Sequence, residues 1–267
     1  MSANPTFTAK ALLQSLVWGP RLVGDLPEAK AFPSEHLTIP PEIPPLNFEQ
    51  KLGHLYEDAL AILLQFSPKI DFLAQNLQIQ KDIHTTVGEL DFLIRDCSSN
   101  ELIHLELATK FYLAFQSEDG LKLPGPDARD NYFRKITRLR DHQLQLPTRY
   151  RNHLPERYRD QTIITQQLIY GCLFDHIDSP EQANPDFINP NCRRGKWLFR
   201  NEIPRHFTET DHFQIIPKPL WPVPLGFLQN LTLAPWDPNQ SQERCLMVRY
   251  NNKPTPYFLA PNSYGPI

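Results

Sequence analysis

The stretch VGELDFLI (87–94), the loop RDCSSN (95–100) and the return ELIHLELATKFYLAF (101–115) decide how this chain folds. Both flanking segments are rich in branched and aromatic residues, and the six residues between them carry the Ser and Asn of a hairpin connection, so the pair is predicted as antiparallel strands. In a strand, residues i and i+2 share a face. Glu89 and Asp91 therefore point one way, and on the return strand Glu106, Ala108 and Lys110 share a face, with Leu105, Leu107 and Thr109 opposite. A register that sets Asp91 beside Glu106 brings two carboxylates together with a lysine near them. Charges flanked by apolar residues on central strands are costly unless partnered. A salt bridge of either carboxylate with Lys110 is the purely structural explanation; a cation site is the chemical one. Glu89 reads as a charge that protects a strand edge.

Upstream, Phe48, Leu52, Leu55, Ala59, Leu63 and Phe66 step by three or four residues, which predicts a helix of about five turns. Glu57 lies at the edge of its apolar stripe, where a solvated helix residue is the plain reading. NLQIQKDI (76–83) adds a third strand to the hairpin. Downstream, Pro124-Gly125-Pro126 breaks the chain, Asp127 is placed as N-cap with Asp130 in the capping-box position, and Phe133, Ile136, Leu139 and Leu144 resume a helical period. TIITQQLIYGCLF (162–174) reads as a buried strand that completes the sheet. GKWLFR (195–200), HFQIIPK (212–218) and CLMVRY (245–250) are shorter strand candidates among prolines. The chain thus divides into a Pro-rich lead-in (1–45), a core (46–176) and a β-rich C-terminal extension packed on it (177–267).

The net charge of −3 gives no global reason to bind an acidic polymer. Between Arg129 and Arg151, however, seven Arg or Lys residues stand against two Asp, a local excess of five positive charges. Arg134, Lys135 and Arg138 on the second helix are candidates for contacting a phosphate backbone, although such runs are commonly just solvated faces. Trp197, Trp221 and Trp236 could stack bases, with core packing the preferred reading. The four cysteines form no CxxC pair, which argues against a zinc knuckle or disulfide framework and for a reducing cytoplasm. No apolar run is long enough to span a bilayer, so no membrane partner is expected. The histidines show no HxH or HExxH spacing, and there is no phosphate-binding Gly loop or GxSxG elbow.

Gly88-Glu89-Leu90-Asp91 followed by Glu106-Leu107-Ala108-Thr109-Lys110 resembles the motif of the PD-(D/E)XK nuclease superfamily. More narrowly, Leu52-Gly53, GELDFLI, HLELATKFYL, GPDARD and HQLQL, spread over roughly 45–200, resemble an uncharacterised bacterial family of that superfamily, domain-of-unknown-function family 1853. The resemblance implies an α/β (α+β) fold with a restriction-endonuclease-like α-β-β-β-α-β core and a mixed central sheet. It implies Glu57, Asp91 and Glu106 as ligands of magnesium or manganese, Asp91, Glu106 and Lys110 as the catalytic set, and nucleic acid as partner, DNA ahead of RNA. One departure matters: the motif's lysine position is Ala108. Lys110 lies one pleat further on, about 6.6 Å along the strand, within reach of a flexible stem. The expected activity is metal-dependent phosphodiester hydrolysis; the alternative is a nuclease-like fold that has lost catalysis and binds nucleic acid or a protein.

Overall fold

The computed structural model describes residues 5–208, 212–251 and 253–265. In chain order its helices and strands are α1 (Pro5–Trp18), β1 (Lys30–Ala31), α2 (Leu52–Phe66), β2 (Ile70–Asp82), β3 (Thr85–Asp96), β4 (Leu102–Ser117), β5 (Gly120–Lys122), α3 (Tyr132–Asp141), α4 (Leu146–Arg149), α5 (Glu156–Arg159), β6 (Ile163–His176), β7 (Arg194–Phe199), α6 (Ile203–His206), β8 (Phe213–Ile215), β9 (Leu246–Tyr250) and β10 (Pro256–Ala260). One mixed sheet carries ten strands, with the main path β2-β3-β4-β6-β7-β10-β9-β8; β1 pairs with β6 and β5 with β4. The fold class is mixed α/β.

Strands β4 and β6 form the spine. They run parallel in unbroken register from Leu102↔Ile163 to Ala114↔Asp175. Both are largely buried, with apolar residues on each face beside a few buried polar ones, as suits a parallel pair covered on both sides. On one side Leu105, Leu107, Phe111 and Leu113 pack with α1 and α2. On the other, Tyr112 and Ala114 pack with α3, while Leu102 joins the cluster around α4 and α5. The predicted antiparallel meander is present: β2 pairs with β3, and β3 with β4.

Helix α2 forms because Leu55, Ala59 and Leu63, with Tyr56, Leu60 and Leu64, make an apolar stripe that is wholly buried. It begins at Leu52 rather than Phe48, with extended Lys51 before it. Ser67 ends it, donating its hydroxyl to the Leu63 carbonyl at 2.6 Å and accepting the Thr38 N–H. The N-cap of α3 differs from expectation. It is Asn131, whose side-chain oxygen accepts from the N–H groups of Phe133 and Arg134. Asp130 is instead engaged by Lys110, and Asp127 caps only the local turn at Arg129. The helical period does not reach Leu144: α3 stops at Asp141, and a 3-10 turn holds Gln143–Gln145.

The stretch 1–45 holds more than a proline-rich lead-in. Leu12, Leu13 and Leu16 of α1 are fully buried, and β1 joins the sheet beside β6. Within 177–267, β7 runs parallel to β6 and β10 parallel to β7, so these strands extend the same sheet. Strand β10 had no counterpart among the sequence candidates. Trp197 and Trp221 are core residues, their indole N–H groups donating to the carbonyls of Ala114 and Ile216.

Gly171 in β6 is a point where no side chain fits. Its φ is +147°, and a Cβ there would lie 1.6 Å from the Lys110 carbonyl oxygen of β4. Gly171→Ala is expected to cost more than about 2 kcal/mol in urea unfolding, as strained, overpacked core positions do. Gly226→Ala, where a Cβ meets nothing within 4 Å, should stay within about 0.5 kcal/mol of wild type.

Candidate active site

The site lies where two strands part. Strands β3 and β4 pair only from Arg95↔Leu102 to Phe92↔Leu105. Beyond that point β3 continues with β2, and β4 with β6. One step past the last pair, the same register sets Asp91 against Glu106, the alignment that the hairpin reading had left as a condition. The ladder does not continue there because the Asp91 side chain takes its place: Asp91 Oδ2 accepts the Leu107 N–H at 2.9 Å.

Glu106 is only 1% exposed. Its Oε1 accepts a 2.6 Å hydrogen bond from Gln143 Nε2, while its Oε2 is buried without a hydrogen-bond partner. Behind it, fully buried His104 places Nε2 3.8 Å from Oε2, too long for a hydrogen bond. Burial pulls the His104 imidazole down to about 3, so the ring is neutral at physiological pH. The two carboxylates are perturbed together. Loss of solvent, opposed by the Leu107 N–H and reinforced by the charge of Glu57, pushes Asp91 up to about 7. Glu106 is driven well above the usual carboxylate range, first by burial and then by Asp91.

Glu57, one-fifth exposed on α2, stands 3.2 Å from His54 Nδ1 and adds its charge to both acids. The three predicted carboxylates, from α2, β3 and β4, therefore act on one another by charge, but among the described residues they do not gather into a three-ligand metal group. The predicted lysine does not join them. Lys110 shares the β4 face with Glu106, yet its ammonium is bound at 2.6 Å to Asp130, just ahead of α3. The amine that faces the acids is Lys135 of α3. Burial lowers its pKa, the charge of Glu106 raises it, and its Nζ donates to Gln143 Oε1 at 2.7 Å. Arg138, three residues on, also stabilises the Glu106 carboxylate. Arg134 points elsewhere, its guanidinium donating to the Arg129 carbonyl. Of the three basic residues picked out on this helix, Lys135 is joined to Glu106 through Gln143, exposed Arg138 acts on Glu106 by charge alone, and Arg134 is engaged by the Arg129 carbonyl. Glu89 is exposed, two residues from Asp91 on β3, and adds only to the repulsion on Asp91.

Sequence reasoning missed His104 and the part that Gln143 plays between Glu106 and Lys135. Gln143 carries no periodic signal because it follows the helix break at His142, and His104 looks like any inward residue of a buried strand.

The fold and site define a mixed α/β protein with a buried pair of carboxyl groups at a strand fork. The chain belongs to the family described as domain of unknown function DUF1853, whose model matches residues 26–261. Searches of curated proteins and of solved structures find no match. Among the described residues no helix is long and apolar enough to cross a membrane.

The raised carboxyl pKa values have a thermodynamic consequence. The folded chain keeps protons on Asp91 and Glu106 that the unfolded chain has already released, so in the absence of divalent ions stability falls as pH rises from about 4, the unfolded value, through about 7. Asp91→Asn and Glu106→Gln should each melt above wild type at pH 8, by roughly 2–4 °C per kcal/mol relieved. The difference should close at pH 4. Differential scanning calorimetry in chelator checks this; equal melting at pH 8 would mean that the two acids do not repel each other.

Proposed function

We propose that this chain is a divalent-metal-dependent nuclease that hydrolyses phosphodiester bonds of nucleic acid, DNA ahead of RNA. The observation that carries the reading is the Asp91–Glu106 pair, buried at the fork of β3 and β4, with one Glu106 oxygen that accepts no hydrogen bond among the described residues. A buried carboxylate oxygen without a donor is a feature that calls for a cation. Support also comes from the order α2-β2-β3-β4-α3-β6, with the short β5, α4 and α5 interposed, which resembles the order of a restriction-endonuclease-like core.

The residues suit magnesium or manganese by chemistry: hard ions take carboxylate oxygens and keep several waters. Among the described residues no three His, Cys, Asp or Glu side chains form a ready-made metal cage. Asp91 and Glu106 would hold the ion, with Glu57 supporting it. When bound, such an ion supplies a lowered pKa for water and charge neutralisation on phosphate. Lys135 is the amine placed to orient an attacking water or bind a phosphate oxygen, the role first expected of Lys110. Arg138 and Arg134 offer phosphate contacts on the outer face of α3. The four cysteines are all free, which fits the proposed cytoplasmic setting.

A second reading, a nuclease-like module without catalysis that binds nucleic acid or protein, is favoured by Ala108 standing at the motif's lysine position. Purified protein with manganese or magnesium and mixed plasmid DNA and RNA separates the two. Metal-dependent cleavage is expected in wild type and should vanish in Asp91→Ala. Lys135→Met should lower kcat by roughly 10²–10³-fold, the scale of losing one electrostatic stabiliser. Lys110→Met should be the milder change. Salt-sensitive binding with no divalent-metal requirement and no cleavage would establish the non-catalytic module instead.

A further inference from the structure

We propose that Gln143 is a positioning residue: its side-chain amide acts as a spacer that keeps Lys135 and Glu106 from closing on each other as an ion pair. The inference rests on the nuclease reading for its purpose, though not for its geometry. The amide is engaged at both ends. Its Nε2 donates to Glu106 Oε1 at 2.6 Å, and its Oε1 accepts from Lys135 Nζ at 2.7 Å. A lysine ammonium has protons to give and no lone pair to accept, so the amide atom facing Lys135 must be the oxygen. The nitrogen is then left to face the carboxylate. The two contacts fix the orientation of the amide, and no flipped form satisfies both neighbours.

The consequence lies in what the bridge prevents. Among the described residues Lys135 forms no ion pair, although the charges of Glu106, Asp91 and Asp130 all act on it. A direct Lys135–Glu106 pair would satisfy the bare Oε2 and occupy the ammonium. Held one amide apart, the carboxylate keeps Oε2 without a partner, and Lys135 keeps protons for a substrate oxygen. Gln143 can do this because its own backbone is anchored. The chain breaks at His142, whose φ of −129° and ψ of −66° are not helical, and the following 3-10 turn is tied to β6 by Thr165 Oγ1 donating to the Leu144 carbonyl at 3.1 Å. Leu144 and Leu146 on either side are buried. The turn therefore cannot follow the amide if the side chain is lost.

The test uses Gln143→Met, which keeps the length and removes both hydrogen bonds, in full-length protein without divalent metal. Lysines are acetylated with limiting acetic anhydride, and Lys135 is followed by peptide mass spectrometry. Collapse onto Glu106 should make Lys135 in Gln143→Met several-fold less reactive than in wild type, and adding Glu106→Gln should restore the rate. Should Gln143→Met not fold, Gln143→Asn, whose shorter side chain cannot reach both partners, gives the same readout. Wild-type reactivity of Lys135 in a folded variant would overturn the proposal. In a parallel assay of manganese-dependent plasmid cleavage, Gln143→Met should lower kcat about 10- to 100-fold with little change in KM, the range seen when a group that orients a site is lost. Absence of cleavage by wild type would count against the nuclease reading, while the labelling result would still decide the spacer.

Discussion

The pairing of β4 with β6 is the constraint from which the rest follows. Both strands are covered on both faces, so every polar side chain on them must be met from inside the protein or left bare. The sequence nevertheless places His104, Glu106, Gln167 and Asp175 there, all buried. Asp175 is met by the Ala183 N–H and Arg194, and Gln167 donates to the Gly24 carbonyl. Glu106 and Gln167 each keep one oxygen without a hydrogen-bond partner among the described residues, and neither ring nitrogen of His104 makes a hydrogen bond there. Glu106 lies one step past the point where β3 parts from β4, with His104 two residues before it on the same face of the strand.

This arrangement works against stability. Three carboxylates share a region that two cationic residues of α3 only partly neutralise, in surroundings that weaken solvation of charge. The apolar clusters above and below the sheet, and α1 and α2 in particular, supply the burial that tolerates it. Local destabilisation kept at a chemically useful point is a common trade in enzymes, and it separates this cluster from the peripheral ion pairs of the same chain. The Arg140–Glu28 pair, for example, satisfies both partners with two hydrogen bonds and leaves nothing over.

Much of the core was legible because it is built on periods. The stripe of α2 repeats every three to four residues, and the alternation along β3 and β4 fixed which carboxylates share a face. The register was not legible: the sequence offered Asp91 beside Glu106 as one possible pairing, and the match of Arg95 with Leu102 is what sets it. What was not legible depends on contacts without a period. Helix α1 was obscured by the prolines that follow it, although Leu12, Leu13 and Leu16 are as buried as any residue in the protein. The cap of α3 went to Asn131 because Asp130, the apparent capping partner, had a stronger claimant in Lys110. Strand β10 is five residues with a proline at its start, and only its place between β7 and β9 makes it a strand.

The position of the lysine shows why a linear motif is weaker than the geometry it stands for. What phosphodiester chemistry needs is an ammonium near two carboxylates, free to give protons to oxygen; it does not need that ammonium on a particular strand. Lys110 has the nearer sequence position and the wrong partner, because Asp130 holds it. Lys135 lies well past the motif, across the chain break at Pro124-Gly125-Pro126, yet α3 lays it over the face of β4 that carries Glu106. With Ala108 at the motif position, the strand surface between Glu106 and Lys110 carries no long side chain, and space above it is left for a group arriving from the helix. Under the proposed function the small residue and the distant lysine belong together: the amine near Glu106 stands on the helix that covers the strand, and the Gln143 amide bridges the two.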